Sequence, residues 1–188
     1  FNQYIMFLPI DDRLKPLPCS SVRNKKTDVI LPVFNALLDT TLCIKSVLSN
    51  SQNCRLIIID DGSTDQMIKV LLDDLGKLDL NNEIEISIIR HDVNTGFVAS
   101  VNEGIRSGSN NVVLLNSDTI VPPGWLERLL APIWSQEDEV ASVTPFSNSA
   151  TICSFPEPCK RNDLFNNLPP DVIDKYFKKI KIRIKNSK

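Results

Sequence analysis

A run of apolar residues, VVLL at positions 112–115, ends abruptly on the polar triplet Asn116, Ser117 and Asp118. A lone carboxylate after a buried-looking strand could hold a divalent cation through its oxygens. Taken alone, Asp118 is more typical of a turn or a helix cap than of a ligand. Its chemistry therefore depends on which other groups the fold brings beside it.

Three other apolar runs also end on polar or small residues. The groups after these runs are Asn35, then Asp60, Asp61, Gly62, Ser63, Thr64 and Asp65, then His91, Asp92, Asn94, Thr95 and Gly96. The DDGSTD stretch alone is equally compatible with a turn that caps the next helix. Together the groups favour Mg²⁺ or Mn²⁺ bridging a carboxylate and ligand phosphates, because these ions often take only one or two protein carboxylates. The two glycines would allow close backbone approach.

Strands and helices alternate along residues 27–146. Strands are predicted at DVILPVF, RLIIIDD, EIEISIIR, NVVLLN and EVASVTPF, and helices at ALLDTTLCIKSVLSN, STDQMIKVLLDDLGKL, FVASVNEGIRSG and PGWLERLLAPIW. Ser63 or Thr64 is the expected N-cap of the second helix. The alternation predicts an α/β domain whose mostly parallel sheet has helices on both faces. Ligands of such sheets bind beyond the carboxyl ends of the strands.

Composition and missing motifs exclude several classes of protein. A formal net charge of -2 gives no electrostatic reason to expect nucleic acid as a partner. The chain has neither G-x-G-x-x-G after its first strand nor a Walker lysine motif, which argues against dinucleotide-binding and P-loop proteins. No apolar segment is long enough for a membrane span. Five cysteines without a C-x-x-C pair indicate reduced thiols and a cytoplasmic location.

Three segments are predicted along the chain. Residues 1–26 are a proline-containing lead-in or linker, residues 27–155 form the α/β domain, and residues 156–188 form a loop and a basic helical tail. Because the chain begins with Phe1, it is expected to be a piece of a longer protein. The basic tail is compatible with weak contact with the inner face of a membrane, but a solvated surface explains it better. The oligomeric state has no readable signal.

Four ordered blocks resemble the family-2 glycosyltransferases of the GT-A fold, in their rhamnosyltransferase-like branch. The blocks are DVILPVFNALLDTTLCIKSVLSN, LIIIDDGSTD, NTGFVASVNEGI and VVLLNSDTIVPPGWLERL. The resemblance covers residues 27–155 and implies a Rossmann-like GT-A domain that binds a nucleotide-diphosphate sugar. The expected enzyme transfers the sugar to a saccharide or lipid-linked acceptor, as in polysaccharide biosynthesis.

The resemblance also implies roles for individual residues. They are Pro32, Val33 and Phe34 around the nucleotide base, Asp60 or Asp61 on the base or ribose, Asn94, Gly96, Phe97 and Asn102 along the sugar nucleotide, and Asn116, Ser117 and Asp118 at the diphosphate. The triplet matches the family's Asp-X-Asp motif, whose last acid binds the metal. Asn116 departs from this motif, so Asp118 is its one acid.

The implied reaction is an inverting displacement in which a carboxylate takes the proton of the acceptor hydroxyl. The family's base follows a further acceptor-binding segment, so it is expected beyond Lys188. Asp171 and Asp174 lie in the right direction along the chain but are predicted to be solvated helix positions. His91, the one histidine, is predicted to be a polar residue leaving a strand, since a histidine without partners forms no site.

Two alternatives to a transferase stay open. A non-catalytic nucleotide- or sugar-binding module of the same fold gains weight from Asn116 and from the missing base. A phosphoacceptor signalling domain also carries acids at strand ends, but it needs a lysine where the last predicted strand has Thr144, Pro145 and Phe146.

Overall fold

A computed structural model describes residues 3–6, 26–78, 83–134, 140–150, 152–162 and 168–178. The described residues divide into two compact units, with the division between Thr119 and Ile120, and strand β1 (Gln3–Met6) belongs to the second unit. The predicted segment boundaries at residues 26 and 155 stay predictions. Most of the lead-in and the basic end of the tail, residues 179–188, lie outside the described part of the chain.

The first unit is built on a four-stranded parallel sheet. Its strands are β2 (Thr27–Val33), β3 (Cys54–Asp60), β4 (Ile84–Arg90) and β5 (Asn111–Leu114), in the order β4-β3-β2-β5. Every neighbouring pair is parallel. The carboxyl ends of these strands therefore meet at one edge of the sheet, and the predicted α/β class with a mostly parallel sheet is confirmed.

Both faces of the two central strands are covered. Val29 and Ile30 of β2, which point to opposite faces, are fully buried, as are Ile57 and Ile58 of β3. Burial on both sides explains why these strands are continuous apolar runs instead of alternating ones.

Three helices connect the strands: α1 (Leu37–Asn50), α2 (Gln66–Leu75) and α3 (Phe97–Ser107). Helix α3 lies so close to the sheet that a Cβ added at Gly104 would be 2.5 Å from a side-chain carbon of Ile30. The predicted N-cap of α2 was wrong by one or two residues. Asp65 occupies that position, and its carboxylate accepts from the Met67 amide at 2.9 Å.

A small sheet has the order β6-β1-β7, where β7 is Phe146–Ser147 and β6, Thr119–Ile120, begins at the last residue of the first unit. Strands β1 and β7 are antiparallel. The predicted strand at residues 139–146 was wrong: residues 140–145 are irregular, and Phe146 joins this small sheet and not the parallel one. The β-branched residues of the segment favour a strand only when a neighbouring strand pairs with them, and Ala141 and Ser142 are instead exposed.

Helices α4 (Trp125–Trp134) and α5 (Pro170–Phe177) also belong to the second unit. The prediction that Asp174 is solvated was wrong, since its side chain is 2% exposed. Arg128 donates to both of its oxygens, at 2.8 and 3.2 Å, and the Lys178 ammonium lies 3.0 Å away. In the described part of the chain, no helix has the length and apolar character needed to cross a membrane.

A buried carboxylate joins the amino ends of the central strands. Asp28 is fully buried and accepts from Arg55 Nε at 3.0 Å and from the Ser109 and Asn110 amides at 2.9 and 3.0 Å. Burial raises the pKa of Asp28, but the bonds from Arg55, Asn110 and Ser109 outweigh that effect and hold the pKa below its usual value. Asp28 therefore stabilises the fold above about pH 4, and this contribution is lost as the pH falls through the lowered pKa.

We expect Asp28→Asn to lower the free energy of unfolding at pH 7 by about 2–4 kcal/mol, because it removes the charge that balances Arg55 and one acceptor oxygen. Urea denaturation followed by circular dichroism measures this change. The matched control is Glu85→Gln, which breaks the exposed ion pair with Lys26 at 3.1 Å and should cost less than about 1 kcal/mol. Equal losses for the two variants would contradict the role of Asp28.

Candidate functional site

A cavity of about 560 Å³ opens at the carboxyl ends of the parallel strands. Its lining residues are Pro32, Val33, Phe34, Asp61, Asn94, Gly96, Phe97, Asn116, Ser117 and Asp118. All of them are among the residues that sequence analysis named for a ligand site. Parallel pairing explains the convergence, since each block follows a strand whose end lies at this edge.

Two predicted site residues lie outside the cavity lining. Asp60 is buried beneath the edge, where its carboxylate accepts from the Ser63 amide at 3.0 Å. Asn102 is an exposed residue of α3. Of the two acids left open after β3, the one facing the cavity is thus Asp61, because successive side chains of an extended chain point to opposite sides.

Asp61 is 4% exposed and bonds to the loop after β4. Its Oδ1 accepts from the amide and the hydroxyl of Thr95, at 2.8 and 2.7 Å, and its Oδ2 accepts from the Gly96 amide at 2.8 Å. Burial raises the pKa of Asp61, but these bonds and one from His91 hold the pKa well below its usual value. Asp61 is therefore a permanent anion that ties two loops of the cavity together.

Gly62 brings the same two loops into direct backbone contact. It has a left-handed φ of 71°, and a Cβ placed on it would lie 2.5 Å from the carbonyl carbon of Val93 and 2.6 Å from the amide nitrogen of Asn94. The close approach at this glycine is to the loop after β4, and an approach to a ligand stays a prediction. Gly96 differs, because its φ of 92° favours glycine but an added Cβ meets no described atom within 4 Å.

Asn35 ties the end of β2 to the turn after β3. Its side-chain oxygen accepts from the Thr64 and Asp65 amides at 2.9 and 3.0 Å, and its own amide donates to Ser63 Oγ at 2.9 Å. Its φ of 57° is left-handed, a conformation that asparagine adopts more readily than most residues. The sequence pattern indicated only that Asn35 is a polar residue at a strand end, and this connecting role was not predicted.

The triplet after β5 forms a turn, as the Thr119 amide donates to the Asn116 carbonyl at 3.1 Å. Beneath it, the fully buried Cys43 of α1 donates through Sγ to the same carbonyl at 3.5 Å. Burial raises the pKa of the Cys43 thiol to about 12, so it stays neutral. Cys43 thus has the packing role expected from the sequence.

Asp118 is half-buried in the cavity lining. Burial raises its pKa, and the negative charge of Asp39 raises it further. A divalent cation would offset this negative charge, and the carboxylate, hydroxyl and amide oxygens of the triplet are ligands that Mg²⁺ and Mn²⁺ prefer. Among the described residues, no group of three or more acidic, histidine or cysteine side chains is placed so that it could hold a metal ion. The triplet therefore suits a cation that takes further ligands from a phosphorylated molecule.

His91 directly follows β4, as predicted for a polar residue leaving a strand, but the premise that it has no partners was wrong, because two carboxylates flank its ring. Its Nδ1 lies 2.8 Å from Asp61 Oδ1, and its Nε2 lies 2.6 Å from Glu103 Oε2. The strand register gives one signal for this contact: Asp60 pairs with Arg90, so the residues that follow them are neighbours. Glu103 comes from α3, and only the packing of that helix places it within reach.

The model of the family described as glycosyl transferase family 2 matches residues 28–183. The chain belongs to this family. Its membership agrees with the resemblance of the four sequence blocks and with the parallel α/β fold.

Similarity to named glycosyltransferases is confined to part of each relative. An uncharacterized glycosyltransferase of Haemophilus influenzae is 32% identical over 104 residues, which is 54% of this chain and 31% of the relative. Undecaprenyl-phosphate 4-deoxy-4-formamido-L-arabinose transferase of Proteus mirabilis is 32% identical over 113 residues, 56% of this chain and 33% of the relative. The chain thus spans about a third of the length of these two relatives.

A solved structure, that of residues 1–349 of S. aureus TarS, matches 50% of this chain and 27% of its own with a TM-score of 0.41 and 20% sequence identity.

We expect Gly62→Ala to lower the free energy of unfolding of this family-2 chain by more than about 2 kcal/mol, because the left-handed backbone and the contact with residues 93–94 both oppose a Cβ. Urea denaturation measures the loss. The matched control is Gly76→Ala, at a helix end with φ -64°, where an added Cβ would lie 3.6 Å from its nearest neighbour. The control should be neutral or slightly stabilising, and an equal loss in both variants would contradict the close-approach argument.

Proposed function

We propose that the chain binds a nucleotide-diphosphate sugar in this cavity and is the donor-binding part of an inverting glycosyltransferase. The observation that carries the proposal is the convergence of all four sequence blocks on one cavity. Those blocks supply a carboxylate held by four donors, two phenylalanines and the Asn116-Ser117-Asp118 triplet. Family membership supports it, since a glycosyltransferase needs an activated donor.

The two phenylalanines of the lining suit a planar nucleotide base. Phe34 is 48% exposed and Phe97 is 56% exposed, although both side chains are strongly apolar. Covering them with a base would remove apolar surface from water and add ring contacts. Asp61 would accept a hydrogen bond from the base or ribose. Oδ2 is the better-placed oxygen, because among the described residues only the Gly96 amide donates to it, whereas three donors reach Oδ1.

We assign Asp118 to a Mg²⁺ or Mn²⁺ ion that also binds the donor diphosphate, with Asn116 and Ser117 beside it. When bound, such an ion offsets the negative charge that grows on a departing nucleoside diphosphate. The neutral Asn116 leaves the triplet with one carboxylate. The ion and the diphosphate are therefore expected to bind together, and each is expected to bind only weakly in the absence of the other.

The proposed reaction is attack of an acceptor hydroxyl on the anomeric carbon, with loss of the nucleoside diphosphate and of the hydroxyl proton. Neither carboxylate of the cavity is assigned as the base that takes this proton. Asp61 is held by four donors, and Asp118 is the metal ligand. The base is still expected beyond Lys188.

The acceptor is proposed to be a saccharide or a lipid-linked hydroxyl, in polysaccharide biosynthesis. The Proteus mirabilis relative is named an undecaprenyl-phosphate 4-deoxy-4-formamido-L-arabinose transferase, and this name supports the lipid-linked class. A cytoplasmic location, with peripheral contact at the inner face of the membrane, accompanies this choice. The rhamnosyltransferase-like branch rests on the four sequence blocks alone.

A second candidate, a non-catalytic nucleotide- or sugar-binding module, is favoured by Asn116 in place of a carboxylate. It predicts the same binding without transfer. Sugar transfer assayed with the full-length protein and its membranes separates the two, since only the transferase releases nucleoside diphosphate in proportion to acceptor.

We expect at least one of UDP, GDP and dTDP to bind more tightly with Mn²⁺ than without it, and Asp118→Asn to weaken binding in Mn²⁺ by at least about tenfold. The variant keeps the size of the side chain and removes the charge that holds the cation. Isothermal titration calorimetry measures each dissociation constant.

The matched control is Asp73→Asn, the same change at an exposed residue of α2 that pairs with Arg90. It should leave binding in Mn²⁺ unchanged. Wild-type affinity in Asp118→Asn would contradict the metal assignment, and failure of all three nucleotides to bind would contradict the donor site itself.

A further inference from the structure

A histidine bridged by two carboxylates lies directly behind the cavity. His91 follows β4, and its backbone amide donates to the Asp60 carbonyl at 2.9 Å, which fixes where the ring begins. The side chain is 12% exposed and lies between Asp61, which is 5% exposed, and Glu103 of α3, which is 45% exposed. His91 itself is not a cavity-lining residue, so it can act there only through its partners.

The geometry suits a proton on each ring nitrogen. Both partners are carboxylates, which accept hydrogen bonds and donate none when ionised. At 2.8 Å on one side and 2.6 Å on the other, Nδ1 and Nε2 can donate to both ionised carboxylates only when the ring is an imidazolium cation. A neutral ring has only one N–H, so its other nitrogen would face a carboxylate oxygen lone pair to lone pair.

The bridge acts on the loop that lines the cavity. Asp61 Oδ1 receives the His91 Nδ1 proton together with the amide and hydroxyl of Thr95, and Oδ2 receives the Gly96 amide. Removing the imidazolium therefore changes the charge balance and the orientation of the carboxylate that holds this loop. The ligand-facing Asn94 and Gly96 belong to the same loop.

We propose that His91 is a positioning residue of the site: with Glu103 behind it, it holds the Asp61 carboxylate and the loop carrying Asn94 and Gly96 in the ligand-binding arrangement, and so makes nucleotide affinity depend on pH. The affinity part of this inference rests on the proposed donor site. The positioning part concerns the loop alone and is measurable without any ligand.

The direction of the pH dependence follows from the charges. The groups facing the ring from the packed elements are Asp61 after β3, Thr95 after β4 and Glu103 on α3, of which the two carboxylates are charged. The bonds to Asp61 and Glu103 raise the pKa of His91 above its usual 6.5, against the opposing effect of burial. The bridge is complete below about pH 6.5 and is lost as the pH rises through the raised pKa.

The positioning part is tested by nuclear magnetic resonance on the free protein. The chain has a single histidine, so one imidazole Hε1 signal reports its titration without ambiguity. We expect a pKa above 6.5, and protection of the Thr95 and Gly96 amides against hydrogen exchange that falls at the same midpoint. Glu103→Gln, which keeps an acceptor oxygen but no charge, should move both midpoints to lower pH. In His91→Gln, whose amide is neutral and supplies no charge-assisted hydrogen bond to either carboxylate, this protection should be low at every pH.

The affinity part is tested by calorimetry with UDP, GDP and dTDP in Mn²⁺, for the wild type and His91→Gln at pH 6 and pH 9. The ratio of the two dissociation constants is used because titration of the phosphates cancels in it. We expect His91→Gln to bind about tenfold more weakly at pH 6, the effect of one charge-assisted hydrogen bond, and nearly equally at pH 9. Asp92→Asn, the same loop's exposed neighbouring acid, should keep the wild-type profile.

The outcomes separate this inference from the proposed function. Suppose that the wild type and His91→Gln have nearly equal dissociation constants at pH 6, and that the Thr95 and Gly96 amides are equally protected in both. This result overturns the role of His91 and leaves nucleotide binding intact. If no nucleotide binds the wild type, the donor site fails. Amide protection that follows the imidazole titration still supports positioning by His91 in that case, and protection that ignores it overturns positioning as well.

Discussion

A buried carboxylate must find donors inside the protein, and the Asp61 carboxylate finds all of its described donors beyond the next strand. The Thr95 amide and hydroxyl, the Gly96 amide and the His91 ring converge on it within 2.7–2.8 Å. Leaving the buried Asp61 carboxylate without these donors would be costly. The loop after β4 is therefore held against the end of β3, and the cavity beside it has a defined wall before any ligand arrives. Gly62 makes this contact sterically feasible.

Hydrogen bonds also hold the segments that follow the other strands, but the groups that make them differ. Asn35 uses one neutral amide to join the end of β2 to the turn after β3, and the buried Cys43 thiol supports the Asn116 carbonyl from below. Of the two carboxylates that line the cavity, Asp118 has a pKa raised by burial and by the charge of Asp39, whereas the pKa of Asp61 is lowered by its donors. The pKa of Asp61 is thus set by structural bonds, whereas the cation proposed at Asp118 would offset the effects that raise the pKa of that carboxyl group.

Much of the fold and of the site could be predicted from the sequence because the signals are local. Apolar, β-branched runs followed by turn residues mark strands and their ends, and their alternation with helical segments implies a parallel sheet. Once the sheet is parallel, residues that follow the strands must meet at one edge, which is why the polar strand ends after β3, β4 and β5 line the cavity, whereas Phe97 was named only through the family resemblance. The prediction of a strand at 139–146 was wrong because it depended on a contact that is not local. β-branched residues favour a strand only where a partner strand exists, and no strand pairs with the described residues 140–145.

The sequence by itself determined the fold class, the order of the blocks and the types of residue at the cavity. Tertiary structure decided which of two adjacent acids faces it, because the register of β3 turns Asp61 toward the cavity and Asp60 beneath it. It also decided that His91 has carboxylate partners, since Glu103 is brought to it by the packing of α3 on the sheet. Such contacts join residues far apart in the chain, and no local pattern of residue types encodes the distance between them.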